Sequence, residues 1–206
     1  MKNVLKMLSY AAVIACLTLV SVGVASAQTD VFQVNYFSNN SPVATVPDGT
    51  LRIDNPGLTY GNLCAMIYVF NNDQQLFECC GCVETHNGLR TLSVKNNLTN
   101  NTLTGRATTN GVVKIVSASV NGGSFNGTGC GPDANVTPKP NLRSWLTHVQ
   151  NQQPLGTFGG AVWPTTETAG SDSTLGSSEL ANLQAQCSFI GILGSGAGVC
   201  TCGTGD

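Results

Sequence analysis

Residues 62–82 read N-L-C-A-M-I-Y-V-F-N-N-D-Q-Q-L-F-E-C-C-G-C, and the fold turns on this stretch. Residues 63–70 are apolar almost throughout. Ile67, Tyr68, Val69 and Phe70 are β-branched or aromatic, side chains that pack well on a pleated, half-buried surface. A run of about eight apolar residues between turn formers fits a strand covered on both faces better than a buried helix. Asn71, Asn72 and Asp73 follow; their short side chains bond nearby backbone and tolerate left-handed conformations, so the chain reverses there. Residues 74–79 form the returning strand. It ends in Cys79, Cys80 and Cys82, and neighbouring cysteines on a strand point to opposite faces, so Cys79 and Cys80 have different partners.

That cysteine cluster leads to the chain's destination. Residues 1–27 have the form of an export signal: Lys2 and Lys6, an apolar run over 8–24, and Ala25-Ser26-Ala27 as a small-x-small cleavage site before Gln28. Two readings compete. Val13-Ile14-Ala15-Cys16 has lipobox form, but lipidation there would leave residues 17–24 as an apolar tail. The run also sits near the minimum of about 17 residues for a retained span. Cleavage removes Cys16 and leaves eight cysteines, Cys64, Cys79, Cys80, Cys82, Cys130, Cys187, Cys200 and Cys202. An even set in an exported chain implies disulfides, up to four, whose connectivity the sequence leaves open. The alternative is a thiolate metal site for zinc or copper(I) on Cys79, Cys80, Cys82, Cys200 and Cys202. An oxidising destination and the C-C-x-C spacing favour disulfides, with no cofactor.

The exported part, residues 28–206, is long enough for one domain with a real core. Without Lys2 and Lys6, seven basic residues face eleven acidic ones, so no basic surface is available to track a nucleic acid. Charged residues make up 10% of the chain, against about 25% in ordinary domains, and Asn, Thr, Ser and Gly replace them.

Around the hairpin, residues 31–37 make a first strand, with Phe32, Val34 and Tyr36 on one face and Gln33 and Asn35 on the other. Residues 51–53 make a short strand closed by Asp54-Asn55-Pro56-Gly57. Asn87-Gly88 is a tight-turn pair, and residues 89–94 follow it as a strand. Residues 96–109 are an Asn/Thr-rich loop or weak strand. Residues 111–120 form a clear strand, with Val112, Val116, Ala118 and Val120 as the expected buried face, interrupted by Lys114. Residues 28–137 are thus β-rich. In the remainder, 138–206, Leu142, Trp145, Leu146 and Val149 recur at i, i+3, i+4 and i+7 after Asn141, the pattern of an amphipathic helix. Residues 152–176 read as a long loop. Ser177 or Ser178 caps a second helix with Leu180, Leu183 and Cys187 on one face, although Gln184 falls on that face too. The expected fold is mainly β with α, in the α+β class: an antiparallel sheet or sandwich followed by two short helices, stabilised by disulfides.

Catalytic patterns are sparse. His86 precedes the Asn-Gly turn, and His148 flanks the apolar stripe of the first expected helix. A Cys82–His86 nucleophile pair conflicts with an even cysteine count. No G-x-S-x-G occurs. Residues 194–198 match a phosphate loop only in glycine content. Asp73, Glu78 and Glu84 read as solvated charges, and the oxygens at 71–73 lack the spacing of a calcium loop. Asn97, Asn100, Asn126 and Asn135 begin sequons.

Three segments, C-A-M-I-Y-V-F-N-N-D-Q-Q-L-F-E-C-C-G-C (64–82), L-R-S-W-L-T-H-V-Q (142–150) and L-Q-A-Q-C-S-F-I-G-I-L-G-S-G-A-G-V-C-T-C-G (183–203), together resemble a family of secreted bacterial proteins of unknown function. The resemblance implies bacterial export and a single domain; it carries no activity and no catalytic residue.

The leading expectation is a secreted or cell-surface protein with a structural, adhesive or matrix role, without catalysis. It would associate with itself or with surface glycans, and keep no membrane anchor after cleavage. The alternative is a carbohydrate- or small-ligand-binding module using Tyr36, Tyr60 or Trp163 as a stacking platform. A secreted hydrolase is the third reading.

Overall fold

The computed structural model describes residues 31–58, 60–123, 129–155 and 160–203. The export signal and the Asn126 sequon lie outside these residues. The described strands are β1 (Phe32–Phe37), β2 (Thr50–Asp54), β3 (Leu63–Asn71), β4 (Leu76–Glu84), β5 (Leu89–Ser93), β6 (Gly111–Ser119), β7 (Arg143–Val149), β8 (Gln153–Pro154), β9 (Ala161–Val162), β10 (Thr165–Ala169) and β11 (Ser171–Asp172). One α-helix, α1 (Ser177–Leu193), follows them. A π-helical turn, Val94–Leu98, closes β5.

The expected hairpin is β3–β4, antiparallel from Leu63 opposite Glu84 to Phe70 opposite Leu76. It belongs to a five-stranded sheet ordered β11-β1-β6-β3-β4; β10-β7-β2-β5 form a second sheet. The two pack face to face, and α1 covers the outer side of the first. β3 therefore lies in a middle layer. Leu63, Ala65, Ile67 and Val69 pack with Leu51, Ile53, Leu92 and Leu146 of the second sheet. Cys64, Met66 and Tyr68 pack with Leu183, Cys187 and Ile190 of α1. Two apolar faces explain why the run is continuous rather than alternating.

β6 is covered in the same way, which corrects the expected single buried face. Val113 and Ile115 join the core between the sheets, Val116 and Ala118 the core under α1, and Val120 is exposed. Lys114, the apparent interruption, reaches Glu179 in the first turn of α1 at 2.5 Å and lies 5.0 Å from the Phe70 ring. It ties sheet to helix.

The helix expected over 141–149 is instead strand β7. It pairs with β2 from Leu51 opposite Leu146 to Asp54 opposite Arg143, and with β10 on its other side. Its buried positions include Ser144, Leu146 and His148. Two of those three side chains are polar, so the strand's alternation is hidden and the apolar residues mimic a helical stripe. The polar inner row is satisfied across the sandwich. Asn35 Nδ2 donates to Ser144 Oγ at 2.9 Å, and Ser144 Oγ donates to Gln33 Oε1 at 2.7 Å. Thus the buried face of β1 includes its polar residues, while Tyr36 is exposed.

The stretch expected as a loop over 152–176 holds four short strands, β8 to β11. All five residues of β10 are exposed, so no apolar period announced it. Gly170 marks the corner where the chain leaves the second sheet and enters the first. A Cβ there would stand 2.5 Å from Ser144 Oγ, so only glycine fits. At the opposite side, Thr85-His86-Asn87-Gly88 carries the chain from β4 to β5 in the other sheet, with Gly88 N donating to Thr85 O at 2.8 Å.

Helix α1 starts where expected, but Gly176 is its N-cap and no side chain caps it. It extends past Gly191 to end at Gly194 in the left-handed region, φ 63°. Gln184 is accommodated on the inner side by donating to Ala134 O at 2.5 Å.

Candidate functional site

All eight expected cysteines are paired: Cys64–Cys130, Cys79–Cys187, Cys80–Cys200 and Cys82–Cys202. β4 carries three of them. As its alternation requires, Cys79 faces α1 while Cys80 and Cys82 face the space between the sheets. The chain after α1 returns along the outer edge of β4 in parallel. Cys79 N donates to Gly198 O at 2.9 Å, and Cys200 N to Cys79 O at 3.2 Å. Parallel strands keep equal offsets, so C-x-C meets C-x-C and both bridges span 120 residues. Cys64–Cys130 crosses beside Gly81, where a Cβ would lie 2.2 Å from Cys130 O.

The metal reading of Cys79, Cys80, Cys82, Cys200 and Cys202 is therefore corrected: each sulfur is held in a disulfide and offers no thiolate. Among the described residues, no group of three His, Cys, Asp or Glu side chains could hold a metal ion. Cys82 is likewise no nucleophile for His86. Four disulfides mark a fold matured in an oxidising compartment. No helix among the described residues is long and apolar enough to cross a membrane.

Two carboxylates expected in solvent are instead buried on β4. Glu84 Oε1 accepts from Arg90 Nε at 2.8 Å, and the same guanidinium donates to Cys202 O at 2.7 Å and Val83 O at 2.8 Å. Arg90 thereby clamps the returning tail. Glu78 Oε1 accepts from Asn101 N at 2.7 Å, while Oε2 is buried without a partner among the described residues. Burial raises the Glu78 carboxyl to about 7, and the Asn101 N–H offsets part of that rise. Asp73 alone is exposed as expected.

His148 is buried on β7, stacked on Tyr36 with ring centroids 3.9 Å apart, and its Nε2 bonds Thr168 Oγ1. Burial lowers its pKa, partly offset by the Tyr36 backbone. The three expected stacking residues have separate surroundings. Tyr36 covers His148, Tyr60 lies 5.1 Å from the Lys139 ammonium, and Trp163 is half-buried between β9 and β10. None of this assembles them into one platform.

A surface that sequence reasoning missed lies on the far side of α1. Leu183, Cys187 and Ile190 are buried, yet Ile192 is 81% and Phe189 56% exposed, with Leu193 beside them. From residue 180 to 203 the chain has no charged side chain. Two hollows flank this ridge. One, of about 540 Å³, lies against Leu76, Leu103, Gln186 and Phe189; the other, of about 580 Å³, lies against Ala134, Ser188, Ile192 and Val199. Helical spacing of Phe189, Ile192 and Leu193 was the available signal, but Gly191 and the glycines of 194–198 obscure it. No family model, curated protein or solved structure matches the chain.

Proposed function

We propose that the protein is an exported structural or adhesive component of a cell surface or matrix, without catalytic activity, that works by associating with further copies of itself. The observation that carries this reading is the outer face of α1. Contiguous exposed apolar side chains on a soluble fold mark contact surfaces. The absence of charge from 180 to 203 favours a second copy as the occupant, because a two-fold contact places the uncharged ridge against itself, with the Asp133 carboxylate confined to one flanking hollow. The disulfide frame supports a role outside the cell, where a fold with many loops must persist without turnover. The secreted location and the removal of residues 1–27 belong to the same proposal.

Sedimentation velocity of the disulfide-intact protein over a concentration series tests it. The expected result is concentration-dependent association that Ile192→Asp abolishes while the thermal transition is kept. A strict monomer at all concentrations overturns the reading.

A further inference from the structure

The tip of the β3–β4 hairpin faces a cavity of about 360 Å³, which adjoins the hollow beside Phe189 at Gln75. That volume falls within the range of small-molecule sites, about 300–1,000 Å³. The hairpin supplies Asn72, Asp73, Gln75 and Phe77; the loop over 104–108 supplies Thr104 and Arg106 opposite them. We infer that this cavity is a glycan subsite that takes a single uncharged pyranose unit.

The cavity is built rather than incidental. In the β3–β4 ladder Val69 opposes Glu78 and Phe70 opposes Leu76, so Phe77 is an extra residue without a partner. Such a bulge breaks the regular ladder, and Phe77, only 3% exposed, backs the cavity from the core. The hairpin tip is fixed by Asn71, whose Oδ1 accepts from Asp73 N at 3.0 Å and Gln75 N at 2.9 Å. The opposite wall is held at both ends. Asn101 N donates to Glu78 Oε1, and Asn40 donates from Nδ2 to Thr108 O at 3.0 Å and from its backbone N to Thr109 O at 2.9 Å. Walls held in advance lower the ordering cost of binding.

The groups that remain are suited to sugar hydroxyls. Among the described residues, the side chains of Asn72, Asp73, Gln75 and Arg106 make no hydrogen bond or ion pair with the protein, so their donors and acceptors are available. A carboxylate accepts from two adjacent hydroxyls, a guanidinium and amide NH₂ groups donate, and amide oxygens accept. One acid and one base leave no net charge to attract an ion. An amino acid zwitterion would need only Asp73 and Arg106 and leave the amides and the Thr104 hydroxyl unused, whereas a polyhydroxylated ring has hydroxyls for these groups as well.

The test is a ¹⁵N–¹H titration of the disulfide-intact protein with glucose, galactose, mannose and N-acetylglucosamine, with free glycine as the zwitterionic competitor. At least one sugar is expected to shift resonances of 71–77 and 104–108 at millimolar concentration, and glycine is not. Asp73→Asn and Arg106→Ala, both at exposed positions, are expected to weaken that binding about tenfold or more, with the thermal transition unchanged. Absence of shifts with all four sugars, shifts with glycine alone, or binding that survives both substitutions overturns the inference. The titration is run on the Ile192→Asp protein as well, so that sugar binding and self-association are judged separately.

Discussion

The two sides of the sandwich are closed by different physics. At the β4–β5 side the chain returns after α1, lies along β4 and is joined to it by Cys80–Cys200 and Cys82–Cys202, with Arg90 gripping the Cys202 carbonyl. At the β10–β11 side no disulfide bridges the sheets. The corner at Gly170 and the hydrogen bonds among Gln33, Asn35 and Ser144 hold it, and β10 has β7 on one side and no strand on the other among the described residues. An open strand edge is a template for pairing with another chain. The molecule therefore covers the β4 edge with its own returning chain and leaves the β10 edge, short and rich in threonine, without such a cover among the described residues; there Glu167 pairs with Arg52 of β2. The lesson is that β4 is the strand that must not open: it carries three bridges and two buried carboxylates.

The largest effect should come from making the two sides alike. In a chain-entropy account, with Cys79–Cys187 in place Cys80–Cys200 closes only about 15 further residues and stabilises by about 3 kcal/mol, and Cys82–Cys202, nested beside it, closes a few more and adds about 2 kcal/mol. Replacing all four of these cysteines by serine is thus expected to remove about 5 kcal/mol, a large part of the stability of a typical domain. Replacing Cys82 and Cys202 alone should remove about 2 kcal/mol. Denaturant unfolding of both variants checks the ratio, and amide exchange along β4 should rise toward that of β10 only in the first.

A smaller and reversible perturbation acts through Glu78. Below the ordinary carboxyl range the group is protonated in folded and unfolded chains alike. From there to about pH 7 the folded chain keeps a proton that the unfolded chain has released. Stability is therefore expected to fall as pH rises through this window, by on the order of 3 kcal/mol. His148, with its lowered pKa, contributes the opposite slope near the ordinary imidazole value. Glu78→Gln keeps the acceptor for Asn101 N and cannot ionise, so the difference between its stability–pH curve and the parent's isolates the Glu78 contribution. Parallel curves would contradict the buried position assigned to Glu78.

The sequence disclosed what was governed by apolar content. β3 was legible because both of its faces meet core, and α1 because Leu180, Leu183 and Cys187 share a side. β7 was misread for a physical reason: Ser144 and His148 occupy inward positions since their partners Asn35, Gln33 and Thr168 are polar too, and a polar-to-polar contact leaves no mark in hydropathy. β10 left none either, because neither of its faces is covered. Glu78 and Glu84 read as surface charges because nothing local shows that a tail some 120 residues away returns along β4. The pairing of cysteines was not readable from number alone, although the matched C-x-C spacings at 80–82 and 200–202 were the trace of a parallel ladder. The candidate surfaces divide the same way. The polar turn at 71–73 was visible, but its cavity needs the facing loop, and the exposed ridge of α1 was obscured by the glycines that follow it.

The central claim is that the eight cysteines form one particular covalent frame with β4 at its hub. Peptide mapping by mass spectrometry under non-reducing conditions, with free thiols blocked at the outset, tests it most directly. The predicted result is four bridges, 64–130, 79–187, 80–200 and 82–202, with no blocked cysteine among the eight. Recovery of free thiols, or of Cys79 joined to Cys200 and Cys80 to Cys187, would contradict the alternating faces of β4 on which the fold has been explained.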